Sequence, residues 1–215
     1  MAIDLYSELP IEIISVDSVM VYKDFNLGSA KPNQTTLENY PHQLIDIMSA
    51  EHIYTASDFT KDAIKLIQKA HQEGKVPLLV GGSMMYFQRL IKGLDVLPER
   101  DDLFRDEMKT IKESEGINAL YKELKLKDSD YADTIEENDS QRIIRALEII
   151  HLSKKSLTSQ LGRISKNYFL NDNFVMQLGI FPNNRKLLHE RIEQRLEDII
   201  GDGLVKETKN IMNTY

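Results

Sequence analysis

Apolar positions along the chain fall into runs of two different periods. Ile11–Val16 (IEIISV) is short, β-branched and mostly apolar, which predicts a strand buried on both faces. Ala2–Leu9 reads as the tail of a helix closed by Pro10. Asn26–Leu44 is polar, holds Gly28, Pro32 and Pro41, and reads as a loop. From Thr55 to Glu73 the residues Phe59, Ala63, Ile64, Ile67 and Ala70 follow helical spacing. Thr55 or Ser57 can cap that helix and Gly74 can stop it. Val76–Val80 (VPLLV) predicts a second buried strand, closed by Gly81 and Gly82. A helix over Met84–Ile91 follows it. Strand, long helix, strand is the unit of a parallel sheet.

Near Pro98 the character changes. From Asp101 to about Leu161 only helical patterns occur, rich in Glu, Lys and Asp. Asp139 can cap a helix over Ser140–Leu152, with Ile143, Ala146, Leu147 and Ile150 on one face. Phe174–Phe181 (FVMQLGIF) then returns to strand character. Asn183 or Asn184 caps a helix through Leu188, Ile192 and Leu196, with Gly201 and Gly203 near its end. The expected organisation is an α/β core over 1–97, an all-helical insertion over 98–172 and a return to the core over 173–215.

Composition narrows the function classes. The chain has 215 residues, 41% hydrophobic and 28% charged, ordinary for a globular protein with a real core. Acids outnumber bases, 34 to 27, so any nucleic-acid binding must come from a local basic surface. The absence of cysteine excludes disulfides and thiolate metal sites, and fits a reducing compartment. No apolar run approaches membrane-spanning length, and the N-terminus has acids where a secretion signal needs bases. A cytoplasmic protein without a membrane partner is expected.

Candidate chemistry sits at the C-terminal strand ends, where open α/β sheets bind ligands. Asp17-Ser18 follows the first strand and Gly81-Gly82-Ser83 the second. A carboxylate there can take a proton. Paired glycines admit a ligand to the backbone, and the serine adds a hydroxyl at a helix start. Asp17 and Ser83 serve equally well as caps. Arg142 and Arg145 lie three apart beside Gln141, placed either to clamp phosphates or to pair with Asp139 and Glu148 on a solvated face. Arg191 and Arg195 sit among Glu190 and Glu193 in what reads as a salt-bridged helix. Met84-Met85-Tyr86-Phe87 reads as core packing. The five histidines show no metal-ligand spacing.

Five longer segments occur in order: ISVDSVMVYKDFNLGSAKP (14–32), PHQLIDI (41–47), PLLVGGSMMYF (77–87), NDSQRIIRALEI (138–149) and RKLLHERIEQRLEDIIGDGL (185–204). With them the chain resembles the tRNA dimethylallyltransferase (tRNA isopentenyltransferase) family over nearly its whole length. That resemblance implies a P-loop-type parallel α/β core with a helical insertion gripping the tRNA anticodon stem-loop. The implied reaction moves a dimethylallyl group from dimethylallyl diphosphate to N6 of adenosine 37, with magnesium as cofactor and the protein as a monomer.

The family's roles carry over by position. Asp17 matches the carboxylate proposed as base for the adenine amine, and Ser18, Val19 and Met20 complete the stretch that meets the flipped base. Many relatives have Gln where Met20 stands, and Thr where Ser29 and Ser83 stand. Ser83 keeps the hydroxyl and, with Asp17 and Arg195, matches the catalytic positions. Arg195 also matches a diphosphate-handling arginine. Arg105 and the run Gln141, Arg142, Ile143, Ile144, Arg145 match tRNA contacts. The family's strand and GxxxxGK[ST] loop, which cradle the diphosphate and help hold magnesium, occur nowhere in the 215 residues. The resemblance therefore implies a core incomplete at its N-terminus, a shortened chain of doubtful activity, and unpaired edges beside Ile11–Val16 and Val76–Val80.

Overall fold

The computed structural model describes residues 1–93, 97–162 and 173–215. Contacts divide the chain into two compact units, Met1–Ile91 with Phe169–Tyr215, and Lys92–Tyr168. The expected boundary at 172 lies outside the described residues.

The first unit opens with α1 (Ala2–Glu8) and strand β1 (Ile11–Val16). Then come α2 (Gln34–Asn39), β2 (His42–Gln43), α3 (Ala56–Gln72), β3 (Val76–Gly81) and α4 (Met84–Lys92). The sheet is parallel, in the order β2-β1-β3. The α/β class expected from the sequence is the one found. β1 pairs from Ile11↔Val76 through Val16↔Gly81 on one side, and at Ile13↔His42 and Ile14↔Gln43 on the other. The expected unpaired edge beside Ile11–Val16 is therefore corrected: β1 is the central strand. β3 pairs on one side among the described residues, and its Val76 and Val80 are exposed.

Two further elements were hidden in the polar stretch read as a loop. Asn33 accepts the Thr36 N–H at 2.8 Å and starts α2. β2 is a two-residue strand, too short for its alternation to show. α3 begins as its sequence suggests. Thr55 and Asp58 form a reciprocal capping box, which satisfies two otherwise unpaired amide donors. Its inner face lays Phe59, Ala63 and Ile67 against Ile14, Val16, Val21, Tyr86 and Leu90. Phe59 and Tyr86 stack at 4.6 Å between ring centroids. Full burial of each large apolar side chain is worth about 1.5–3 kcal/mol.

Gly81 is required by close approach. A Cβ there would lie 2.1 Å from the Val16 carbonyl oxygen, and the neighbouring atom is backbone, which cannot swing away. Gly81→Ala should cost about 1–3 kcal/mol in urea unfolding. An unchanged midpoint would contradict this packing.

Two expectations are corrected here. Phe174–Phe181 forms no strand; the run carries no ladder, and Phe174, Met176, Leu178, Ile180 and Phe181 are exposed. Within Met84–Phe87, Tyr86 is buried and Phe87 packs partly against the core, but Met84 and Met85 are exposed. Beyond Asn184, which caps it, α9 (Arg185–Gly201) is followed by α10 (Leu204–Thr214).

The second unit holds α5 (Asp102–Glu115), α6 (Ile117–Lys127), α7 (Ser129–Ala132) and α8 (Ser140–Ser153). Asp101, Asp128 and Asp139 cap α5, α7 and α8 with their carboxylates. Asp128 also accepts the Thr158 N–H and hydroxyl, at 2.8 and 2.7 Å. The core gathers Met108, Leu120, Leu124, Ile143, Ala146 and Leu147.

Candidate functional site

The parallel pairing of β1 with β3 brings two sequence-distant segments to one sheet edge. Asp17 leaves the end of β1, and its Oδ1 accepts the N–H groups of Val19 (2.8 Å) and Met20 (3.0 Å). That hydrogen-bonded turn reverses the chain and fixes the carboxylate at the strand end. Oδ2 accepts no hydrogen bond among the described residues. The Ser18 N–H donates to Ser83 Oγ at 3.1 Å, across 65 positions. The Ser83 N–H donates to the Val16 carbonyl at 3.2 Å. The Ser83 hydroxyl thus spans to the opposite turn instead of capping α4, while Asp17 caps its own turn. Both keep capacity for a ligand: Asp17 an oxygen, Ser83 its hydroxyl proton. Val19 is exposed and Met20 half-buried beside them.

A second layer, which the sequence reading missed, ties the segment after this turn to Asp46, whose N–H donates to the Met20 carbonyl at 3.1 Å. Lys31 is 2% exposed at its side chain, with Asp46 at 2.5 Å. Its Nζ also donates to the Tyr22 carbonyl (3.0 Å) and to Asn26 Oδ1 (3.1 Å). Asp24, Ala30, Leu44 and Asp46 all have left-handed backbone, φ 68, 53, 64 and 56°, a strained state for residues other than glycine. The buried ammonium ties one of these positions, Asp46, to the Tyr22–Asn26 segment. Burial raises the Tyr54 and Tyr86 phenols above their ordinary range, with nearby carboxylates adding to the effect. Both rings therefore stay neutral, and the Tyr54 hydroxyl donates to Asp62.

α10 fastens the same loop. Glu207 accepts the N–H groups of Asn26 (3.1 Å), Leu27 (2.9 Å) and Gly28 (3.0 Å). The Tyr215 hydroxyl donates to Asp24 Oδ2 at 2.9 Å. Three successive amides converging on one carboxylate make a tight anion-holding nest. Glu207→Ala should raise hydrogen exchange at amides 26–28 by about tenfold or more. Exchange unchanged there would show that the carboxylate does not hold the loop.

The candidates in the helical unit divide by burial. Gln141 and Arg142 are exposed, and Arg142 pairs with Asp139 at 3.0 Å. Ile143 is fully buried in the helical core and Ile144 is half-buried. A direct tRNA contact by the Ile143 side chain is therefore corrected to a packing role: it turns inward with Ala146 and Leu147. Arg105 and Arg145 both donate to Glu148. Glu148 was expected only as a surface partner; it is 0% exposed.

Arg195 lies on α9, exposed, with no hydrogen bond or ion pair among the described residues linking it to Asp17 or Ser83. For magnesium, no group of three or more histidine or acidic side chains that could hold a metal occurs among the described residues. Asp17 also spends one oxygen on its turn. Magnesium usually takes only one or two carboxylates together with substrate phosphates and water, and the second oxygen of Asp17 stands free of hydrogen bonds among the described residues. No described helix is long and apolar enough to cross a membrane.

Comparison with known proteins bears on this arrangement. The IPP transferase family model matches residues 20–215. A tRNA dimethylallyltransferase of Legionella pneumophila (strain Paris) is 40% identical over 211 residues, 98% of this chain and 66% of the relative. A tRNA dimethylallyltransferase of Neisseria meningitidis serogroup A is 39% identical over 215 residues, 100% of this chain and 68% of the relative. The crystal structure of the tRNA isopentenylpyrophosphate transferase from Bacillus halodurans superimposes with a TM-score of 0.62 at 30% identity. That match covers 99% of this chain and 65% of the solved one. The chain thus spans about two thirds of the length of these three relatives.

Proposed function

Because the chain belongs to the IPP transferase family, we propose that it acts in tRNA dimethylallyl transfer. The group moves from dimethylallyl diphosphate to N6 of adenosine 37, beside the anticodon. The observation that carries this reading is the junction of Asp17, Ser18 and Ser83 at one sheet edge.

An adenine amine is a weak nucleophile, because its lone pair is delocalised into the ring. The open Oδ2 of Asp17 accepts a hydrogen bond from that amine and orients it. As the N–C bond forms, the allylic C–O bond breaks and diphosphate leaves with the electron pair. Asp17 takes the amine proton. The Ser83 hydroxyl, already accepting from Ser18, donates its own proton to a ring nitrogen and fixes the base. Val19 and Met20 flank the base. Extruding it from the anticodon stack costs a few kcal/mol, offset by contacts to the RNA backbone. Gln141, Arg105, Arg142 and Arg145 supply those contacts, with Ile143 and Ile144 supporting them from within α8. Arg195 serves the departing diphosphate, whose growing charge a cation stabilises. The protein's partners in this reading are tRNA and dimethylallyl diphosphate, and it acts as a cytoplasmic monomer without a membrane partner.

The test is transfer of labelled dimethylallyl from its diphosphate to an anticodon stem-loop bearing adenosine 37. Recovery of N6-dimethylallyladenosine is the expected result. Stem-loop binding without transfer would contradict the transferase reading and favour an anticodon-loop binding module.

A further inference from the structure

In the helical unit, the carboxylate of Glu148 is fully buried and fully occupied. Its Oε1 accepts from Arg105 Nε at 2.7 Å and from the Asp101 N–H at 2.9 Å. Its Oε2 accepts from Arg105 Nη2 at 2.9 Å and from Arg145 Nη1. A carboxylate offers about four lone-pair sites, so nothing further can bind there. Arg145 Nη2 goes on to the Pro98 carbonyl at 2.8 Å. Two guanidinium groups, one from α5 and one from α8, are thereby fixed to one anchor.

Each arginine uses two of its five donors in this way. Their side chains remain 23% and 34% exposed. The unused edges are left for a ligand, while the shared carboxylate cancels one of the two positive charges. Against well-packed apolar residues, a buried ion cluster of this kind contributes little net stability. It does fix geometry. Arg142 differs: its side chain is 65% exposed and its pairing with Asp139 is a surface one, readily exchanged.

We propose that Glu148 is a positioning residue for RNA backbone recognition, presenting Arg105 and Arg145 as one rigid pair of guanidinium donors to phosphodiester oxygens. The inference rests on the proposal that the chain binds an anticodon stem-loop. Planar guanidinium groups give bidentate contacts to phosphate only when their orientation is set.

The test exploits a sign. Glu148→Gln removes a negative charge, so electrostatics alone would tighten RNA binding. Loss of positioning weakens it. In the full chain, with an anticodon stem-loop as probe, Glu148→Gln should weaken binding by about tenfold or more. The slope of log K against log salt should stay near the wild-type value, because both arginine charges remain. Arg105→Lys, which keeps the charge and loses the fork, should weaken binding in the same way and serves if Glu148→Gln does not fold. Unchanged or tighter binding in either folded variant would overturn the inference alone. Failure of the wild-type chain to bind the stem-loop would overturn the binding proposal and this inference together.

Discussion

Asp17→Ala should lower single-turnover dimethylallyl transfer by about 10²–10⁴-fold, the usual worth of a positioned general base. The alanine removes two things together: the oxygen left open for a ligand and the acceptor for the Val19 and Met20 amides. Asp17→Asn separates them. Its amide oxygen can still accept both N–H groups, so the turn survives, but it cannot take a proton. The asparagine variant should bind the stem-loop as the wild type does and lose transfer nearly as fully as alanine. If asparagine keeps transfer, Asp17 acts through the turn and another group moves the proton. Ser83→Ala should be milder, because it removes one donor to the base and the acceptor for Ser18, and leaves the carboxylate in place.

Glu148→Ala should destabilise the helical unit by about 3–5 kcal/mol, the cost of leaving buried cationic partners without their carboxylate. That is a large share of the marginal stability of a folded domain. The pH dependence has a definite sign. Burial alone would raise the Glu148 carboxyl above its ordinary value. The Arg105 and Arg145 hydrogen bonds and the Asp101 N–H outweigh burial and bring it down to about 2. A carboxyl lowered on folding contributes stability that is fully present above its unfolded pKa and lost as pH falls through the folded one. Urea unfolding followed from pH 5 to pH 2 should therefore show a progressive loss in the wild type. Glu148→Gln should flatten that part of the profile. A wild-type stability that stays level across this interval would contradict the buried ionised pair.

The parts of the fold legible from sequence are those governed by local physics. The Thr55 cap, one of the two the sequence offered, the Asp139 cap and the spacing of Phe59, Ala63 and Ile67 all act within a few residues, and each is found. Phe174–Phe181 shows the limit of such reasoning. Apolar character predicts a strand, but a strand also needs a neighbour for its backbone hydrogen bonds, and no ladder forms there. Ile143 was legible in two conflicting ways. The QRIIR run marked it for tRNA, while its spacing with Ala146, Leu147 and Ile150 already placed it on the inner face of α8. Burial follows the spacing.

At the candidate site, the sequence supplied Asp17 and Ser83 as separate strand-end residues, and the parallel register of β1 and β3 joined them. The supports were not legible. Arg105 and Glu148 lie 43 positions apart, and Asn26 and Glu207 lie 181 apart. No spacing rule links such pairs, because their contact is made by tertiary packing alone. Lys31 looked like an ordinary charged residue in a polar loop. Its near-complete burial depends on three oxygens that the folded loop gathers around it.

In the proposed reaction the turn carrying Asp17, together with Ser83, receives the base of adenosine 37. The most direct measurement is photo-crosslinking of an anticodon stem-loop carrying 8-azidoadenosine at position 37 to the full chain, followed by mapping of the modified peptide. It requires no donor and no turnover. Attachment is expected within Asp17–Tyr22 or Gly81–Met85, suppressed by excess unmodified stem-loop. Attachment confined to the helical unit, or attachment that competitor does not suppress, would contradict that placement.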